Sequence, residues 1–219
     1  MREAVIVSTA RTPIGKAHRG AFNATPSPTL AGHSIAHAVK RAGIDGAEVD
    51  DVVFGAALQQ GVQGGNIARL SLLRAGLPVS VAGQSMDRQC ASGLMAIATA
   101  AKQIIVDGMQ ICVGGGVDSI SMIMNARMNN GADPELVAMH PAIHMPMLQT
   151  AEIVAKRYNV SREAMDEYSF QSQMRTAAAQ AAGAPRRVTL PNQSFESPVY
   201  SETRMKSSLV SAKALCSSI

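Results

Sequence analysis

At 219 residues and 22.9 kDa, the chain has the length for one large domain or two small ones, each with a buried core. A hydrophobic content of 47% argues against a disordered chain. Aromatics at 3%, with no Trp, leave little material for stacking on bases and argue against a nucleic-acid reader. The formal charge of +4 gathers at one end, because residues 184–219 hold five basic and two acidic side chains.

Ala4–Ser8 is a short apolar run that predicts a buried strand, and Arg11-Thr12-Pro13-Ile14-Gly15 breaks it with turn chemistry. Over Thr29–Ala42 the residues Leu30, Ala31, Ile35, Ala38, Val39 and Ala42 share one helical face, and Gly43 closes the helix. Asp51–Leu58 reads as a second strand, Gly61–Asn66 as a loop, and Ile67–Ala75 as a short helix ended by Gly76 and Pro78. Val81–Met86 is a third strand, Ala91–Val106 a helix of small residues, and Ile111–Val113 a fourth strand running into Gly114-Gly115-Gly116. Strands alternating with helices predict an α/β layer with a mostly parallel sheet.

After Ser121 the pattern changes. Met122–Met147 is rich in Met, Asn, Pro and His, and two helices are predicted beyond it, Thr150–Tyr158 and Arg162–Ala182, the second capped by Ser161. From Ala184 onward eight serines, Pro185 and Pro191 without periodicity predict a loop-like or disordered tail. No apolar run reaches the length of about eighteen residues that a membrane span needs. The opening Met1-Arg2-Glu3-Ala4-Val5 leads straight into a strand, so no leader is expected and a reducing cytoplasm is the expected compartment.

Three widely spaced cysteines describe neither a disulfide framework nor a Cys-x-x-Cys metal site. Cys90 stands between a strand and the start of a helix, where unpaired N–H groups and the helix dipole favour a thiolate. Ala91, Ser92 and Gly93 are small enough for an acyl group to approach the sulfur, and the same N–H groups could bind its oxygen. A free cysteine also packs as a small hydrophobe, and position alone does not separate these two readings. Cys112, inside an apolar strand, reads as structural, and Cys216 in the tail has no assigned role.

His33 and His37 are four apart on a predicted helix but have no third ligand, and Lys40 and Arg41 mark their face as solvated. His140 and His144 flank prolines in the Met-rich stretch and read as loop residues. The run Gly114–Gly116 lacks the spacing of a nucleotide loop, so tight packing near the Cys90 helix is the expected reason for it.

Six stretches in one order carry a resemblance. They are Ala4–Lys16, Gln63-Gly-Gly-Asn-Ile-Ala-Arg69, Gln89-Cys-Ala-Ser-Gly-Leu94, Gly114-Gly-Gly-Val-Asp-Ser-Ile-Ser-Met122, Thr150–Tyr158 and Ser161–Glu167. Together they resemble the thiolases, acyl-CoA acyltransferases, from residue 3 to about 183. The resemblance implies a thiolase-like α/β fold of two similar halves in five layers, of which this chain holds the first. Residues 1–121 would be its α/β domain and 122–183 an inserted helical loop domain that binds coenzyme A, with Met147 in its pattern. Residues 184–219 would be a divergent tail. It implies Cys90 as the acyl-accepting nucleophile in a ping-pong transfer from acyl-CoA to acetyl-CoA or CoA, in the Claisen or the thiolytic direction. No permanent cofactor, metal, nucleic acid or membrane is implied; acyl-CoA and acetyl-CoA are the substrates, and full-length members form homo-oligomers.

Several features depart from the family. The second half supplies a Gly-His-Pro histidine, an Asn-Glu-Ala-Phe segment and a second cysteine in a Cys-x-Gly-Gly setting, none of which this chain contains. Met139-His140-Pro141 and Cys112-Val113-Gly114 imitate two of them in the wrong part of the chain. Pro146 replaces a histidine of some biosynthetic members, and Asp118 stands where Glu is usual. The pattern breaks after Gly183, and Arg186-Arg187 is what an acidic pair would become one base out of frame, so a frameshift near residue 184 is expected. The chain by itself is expected to be weakly active or inactive. The competing expectation is a non-catalytic binding or assembly fragment; a ketoacyl synthase relative is a lesser one.

Overall fold

A computed structural model describes residues 2–125, 128, 131–182 and 209–211. In chain order these form β1 (Ile6–Ser8), α1 (Ser27–Ala42), β2 (Asp51–Gly55), α2 (Ile67–Arg74), β3 (Ala82–Met86), α3 (Ser92–Ile105) and β4 (Cys112–Gly116). Then come α4 (Ile120–Ile123), α5 (Pro134–Met139), α6 (Met147–Arg157), α7 (Arg162–Ala181) and β5 (Leu209–Ser211). The chain divides into two compact units, Met1–Met128 with Arg187–Ile219, and Asn129–Arg186.

The first unit is an α/β layer. Its sheet has the order β1-β5-β4-β2-β3, and every pairing is parallel. The central strand β2 runs in register with both neighbours, Asp51–Gly55 against Ala82–Met86 on one side and Cys112–Gly116 on the other. All residues of β2 and β4 are buried, as expected of strands covered on both faces.

Side chains alternate across the sheet and sort the core into two clusters. On one face Val52, Phe54 and Val113 pack with Leu30, Ala31, Ile35 and Ala38 of α1 and Ile67, Ala68 and Leu72 of α2. On the other face Val53 and Cys112 pack with Ala96, Ala100 and Ile104 of α3. Those three residues are four apart, so they make a single stripe along the helix.

The glycines of β2 and β4 explain how closely α3 lies on the sheet. A Cβ on Gly114 would come within 2.8 Å of Ile97 Cα, and one on Gly116 within 2.9 Å of Gly93 Cα. The expectation that Gly114–Gly116 serve packing against the Cys90 helix holds. They do so as strand residues of β4 rather than as a loop following it.

Three expectations are corrected. The first strand is not buried as expected, since Ile6 and Val7 of β1 are exposed and only Ser8 is covered. The stretch 122–147 is not wholly irregular, because Asp133 caps α5 by accepting from Glu135 and Leu136 N–H, and α4 precedes it. Part of the tail is also not loop-like: Leu209–Ser211 enter the sheet between β1 and β4. The remaining tail positions, including Cys216, lie outside the described residues.

The second unit is helical. None of the residues of α5 or α6 is buried, and α6 carries Met147, Leu148, Ile153 and Val154 exposed. Ser161 Oγ accepts from Ala164 N at the start of α7, the N-cap expected there, and Arg162 pairs with Asp166 one turn on. No helix among the described residues is long and apolar enough to cross a membrane.

Candidate active site

Parallel strands place their carboxyl ends together, and β2, β3 and β4 leave the sheet there at Gly55, Met86 and Gly116. Loops at this edge are where α/β sheets usually bind ligands. Cys90 lies at this edge, in the four-residue turn 87–90 between β3 and the N-cap of α3, and its thiol is exposed.

The turn is held by its own polar groups. Asp87 Oδ1 accepts from Gln89 N at 2.7 Å. Ser92 Oγ accepts from Arg88 N at 2.8 Å and donates to Gln89 O at 2.6 Å. These bonds offset the cost of Gln89, which has φ 50°, a left-handed conformation that non-glycine residues adopt at about 1–3 kcal/mol. The chain thereby turns sharply from strand to helix with the cysteine at the corner. Ala91 at the N-cap has no side chain to accept from the first helical N–H groups, and the N–H groups of Ala91 and Ser92 donate instead to Arg88 O at 3.1 Å and Gln89 O at 3.0 Å.

Cys112 is the opposite case. It is fully buried, and burial first, then the carboxylates of Asp51, Asp50 and Asp107, push its thiol up to about 12. The structural role expected for it fits this setting.

The residues missed in the sequence are Gln63 and Asp118. Asp118 accepts from Ala57 N at 3.1 Å, Leu58 N at 3.2 Å and Gln63 Nε2 at 2.9 Å. Gln63 is fully buried and also donates to Leu58 O at 2.8 Å, while its Oε1 accepts from Ser27 Oγ and Ser119 N. Burial raises the Asp118 carboxyl above its ordinary value, the three donors work against that rise, and the nearby Asp87 carboxylate adds to it. Both residues lie inside stretches that resemble the family, but nothing in their spacing signals that they meet.

His33 and His37 on α1 have ring centroids 4.4 Å apart with the rings tilted at 52°, and among the described residues no group of three or more ligands could hold a metal. Both are half-buried, not on an open solvated face. His140 and His144 are exposed in the second unit, where Met147 opens α6, also exposed.

The description "Thiolase, N-terminal domain" matches residues 4–210. The chain belongs to the thiolase family. The match continues past residue 183, where the sequence resemblance stops. A 3-ketoacyl-CoA thiolase of Bacillus subtilis is 38% identical over 185 residues, covering 84% of this chain and 47% of that protein. A beta-ketoadipyl-CoA thiolase of Acinetobacter baylyi is 37% identical over 202 residues, covering 84% and 50%. The solved acetyl-CoA acetyltransferase of Bacillus anthracis is 32% identical with a TM-score of 0.70, covering 84% of this chain and 49% of that one. The thiolase relatives are thus about twice as long, and this chain spans about half of each.

Proposed function

We propose that this chain is the acyl-accepting half of a thiolase-type acyltransferase, with Cys90 as nucleophile. The supporting observation is an exposed free cysteine at a strand-to-helix corner, two residues before the first residue of α3. In the first step Cys90 Sγ attacks the carbonyl carbon of an acyl-CoA. The new C–S bond forms as the bond to the coenzyme A sulfur breaks, and coenzyme A leaves as the thiol with the proton given up by Cys90. In the second step the Cys90 S–C bond breaks as the acyl group passes to the thiol of CoA, or to the α-carbon of acetyl-CoA, and Cys90 leaves as a thiol with the proton that the acceptor gives up. Names among the relatives, 3-ketoacyl-CoA and beta-ketoadipyl-CoA thiolase, support coenzyme A thioesters as substrates. The second unit, with Met147 on α6, is the segment assigned here to coenzyme A.

The second step needs a base and a proton donor that the family supplies from its second half. Loss of a general base costs about a hundredfold to ten-thousandfold. The isolated chain is therefore expected to acylate once and turn over slowly. Intact-mass analysis after mixing with acetyl-CoA tests this: a single acetyl adduct mapped to Cys90 and absent in Cys90→Ser supports it. An unmodified Cys90 in folded protein refutes it.

A second reading, a non-catalytic assembly fragment, draws on α3. Its Leu94 is 71% exposed, and Val106, the C-cap that follows α3, is 76% exposed. Size-exclusion chromatography separates the readings, since a monomer at high concentration speaks against assembly.

A further inference from the structure

We propose that Asp118, acting with Gln63, is a positioning residue for the Cys90 turn. The inference rests on the reading of Cys90 as nucleophile and assigns the group that holds it in place.

The sheet edge beneath the turn is two glycines wide. A Cβ on Gly55 would lie 2.3 Å from the Ser92 carbonyl carbon, and one on Gly116 would lie 2.9 Å from Gly93 Cα. The first turn of α3, beginning two residues after Cys90, therefore sits on the backbone of the last residues of β2 and β4. Its height and tilt follow whatever fixes those two strand exits.

Asp118 fixes both. It is two residues beyond Gly116 on the same chain, and its two carboxylate oxygens take the N–H groups of Ala57 and Leu58, two and three residues beyond Gly55. The ladder itself continues one step past each glycine, Ala56 N donating to Met86 O at 3.1 Å and Val117 N to Gly55 O at 2.9 Å. Gln63 locks the arrangement from behind. It donates to Asp118 and Leu58 O and accepts from Ser119 N and Ser27 Oγ, so α1 and both exits share one buried amide. The Asp87 carboxylate of the Cys90 turn adds to the rise at Asp118, and Lys16, from the β1–α1 connection, lines a small cleft together with Asp118.

A carboxylate is suited to this task because it accepts on both oxygens. The isosteric Asn presents an N–H₂ on one side and leaves a backbone N–H of Ala57 or Leu58 facing a donor, a costly arrangement in a buried setting. Small displacements of a nucleophile cost about a hundredfold when an acyl group must be met in line.

The test uses the full chain as Asp118→Asn and Asp118→Glu. Amide hydrogen exchange is read over residues 56–63 and 87–95, together with the rate of Cys90 acylation by acetyl-CoA divided by its rate of alkylation by iodoacetamide. For Asp118→Asn the expected result is exchange about tenfold faster in both segments. The acylation-to-alkylation ratio falls about tenfold or more, and Asp118→Glu restores both. Exchange that rises only over 56–63, with 87–95 unchanged, overturns the proposal, as does an unchanged ratio. If Asp118→Asn does not fold, Gln63→Met, which keeps the volume and removes the amide's two donations and two acceptances, is read by the same criteria. Should the unaltered protein form no adduct, the nucleophile reading fails by itself while the exchange data still decide whether Asp118 holds the turn.

Discussion

Gly55 supports Ser92 with no side chain between them, at a separation where a Cβ would fall 2.3 Å from the Ser92 carbonyl carbon. That contact joins the middle of the sheet to the first turn of the helix that presents Cys90. Gly55→Ala is expected to destabilise the protein by about 1–3 kcal/mol through overpacking. It should also change the rate at which iodoacetamide modifies Cys90. Urea unfolding and timed alkylation measure the two effects, and a variant identical to the parent in both would show that the contact is slack.

The two described cysteines should differ sharply toward alkylating reagents. Cys90 is exposed, whereas Cys112 is buried with its thiol pushed up to about 12. Peptide mapping at neutral pH should find Cys90 modified and Cys112 spared until the protein unfolds. A thiol raised above its ordinary 9.0 adds stability below that value, and the contribution is lost as pH rises from there toward about 12. Cys112→Ala should therefore unfold less steeply with rising pH over that interval, apart from its lower starting stability.

Asp118 gives a related prediction in acid. Its carboxyl is raised above the ordinary 3.8, so the folded state holds this proton more tightly than the unfolded chain. The resulting stabilisation is present below 3.8 and disappears as pH rises through the elevated value. Thermal unfolding of Asp118→Asn between pH 3.5 and neutrality should show a profile lacking that component. A profile parallel to the parent's would contradict the assignment.

His37 acts in the opposite sense. Burial first, then Arg41 and Lys40, lower its pKa from 6.5, so protonation is resisted in the folded state. Its contribution to stability is present above 6.5 and is lost as pH falls through the lowered value. His37→Gln should retain more of its neutral-pH stability at pH 5 than the parent does, as read by the shift of the urea midpoint.

A chain ending before Leu209 should lose more than its tail. Among the described residues β1 pairs only with β5, through Ile6↔Leu209 and Ser8↔Val210, and β4 pairs with β5 on the side away from β2. Hydrogen exchange should then report faster exchange at Ile6–Ser8 and along the β5 side of β4, while β2 and β3 stay protected.

What short-range pattern can specify was legible in the amino-acid order. The apolar stripe of α1, the capping of α7 by Ser161, the buried runs of β2 and β4, and the corner at Cys90 all follow from spacing over a few residues. Three features needed the fold. Strand order put Leu209–Ser211 beside β1 and β4, because a strand's partner is chosen by packing between distant segments and not by its own composition. Gly114 and Gly116 of β4 have no room for a Cβ because α3 lies against them, a fact about the helix rather than about the glycines. Gln63 and Asp118, 55 positions apart, met only when the exits of β2 and β4 were brought together, since a buried carboxylate finds its donors in three dimensions.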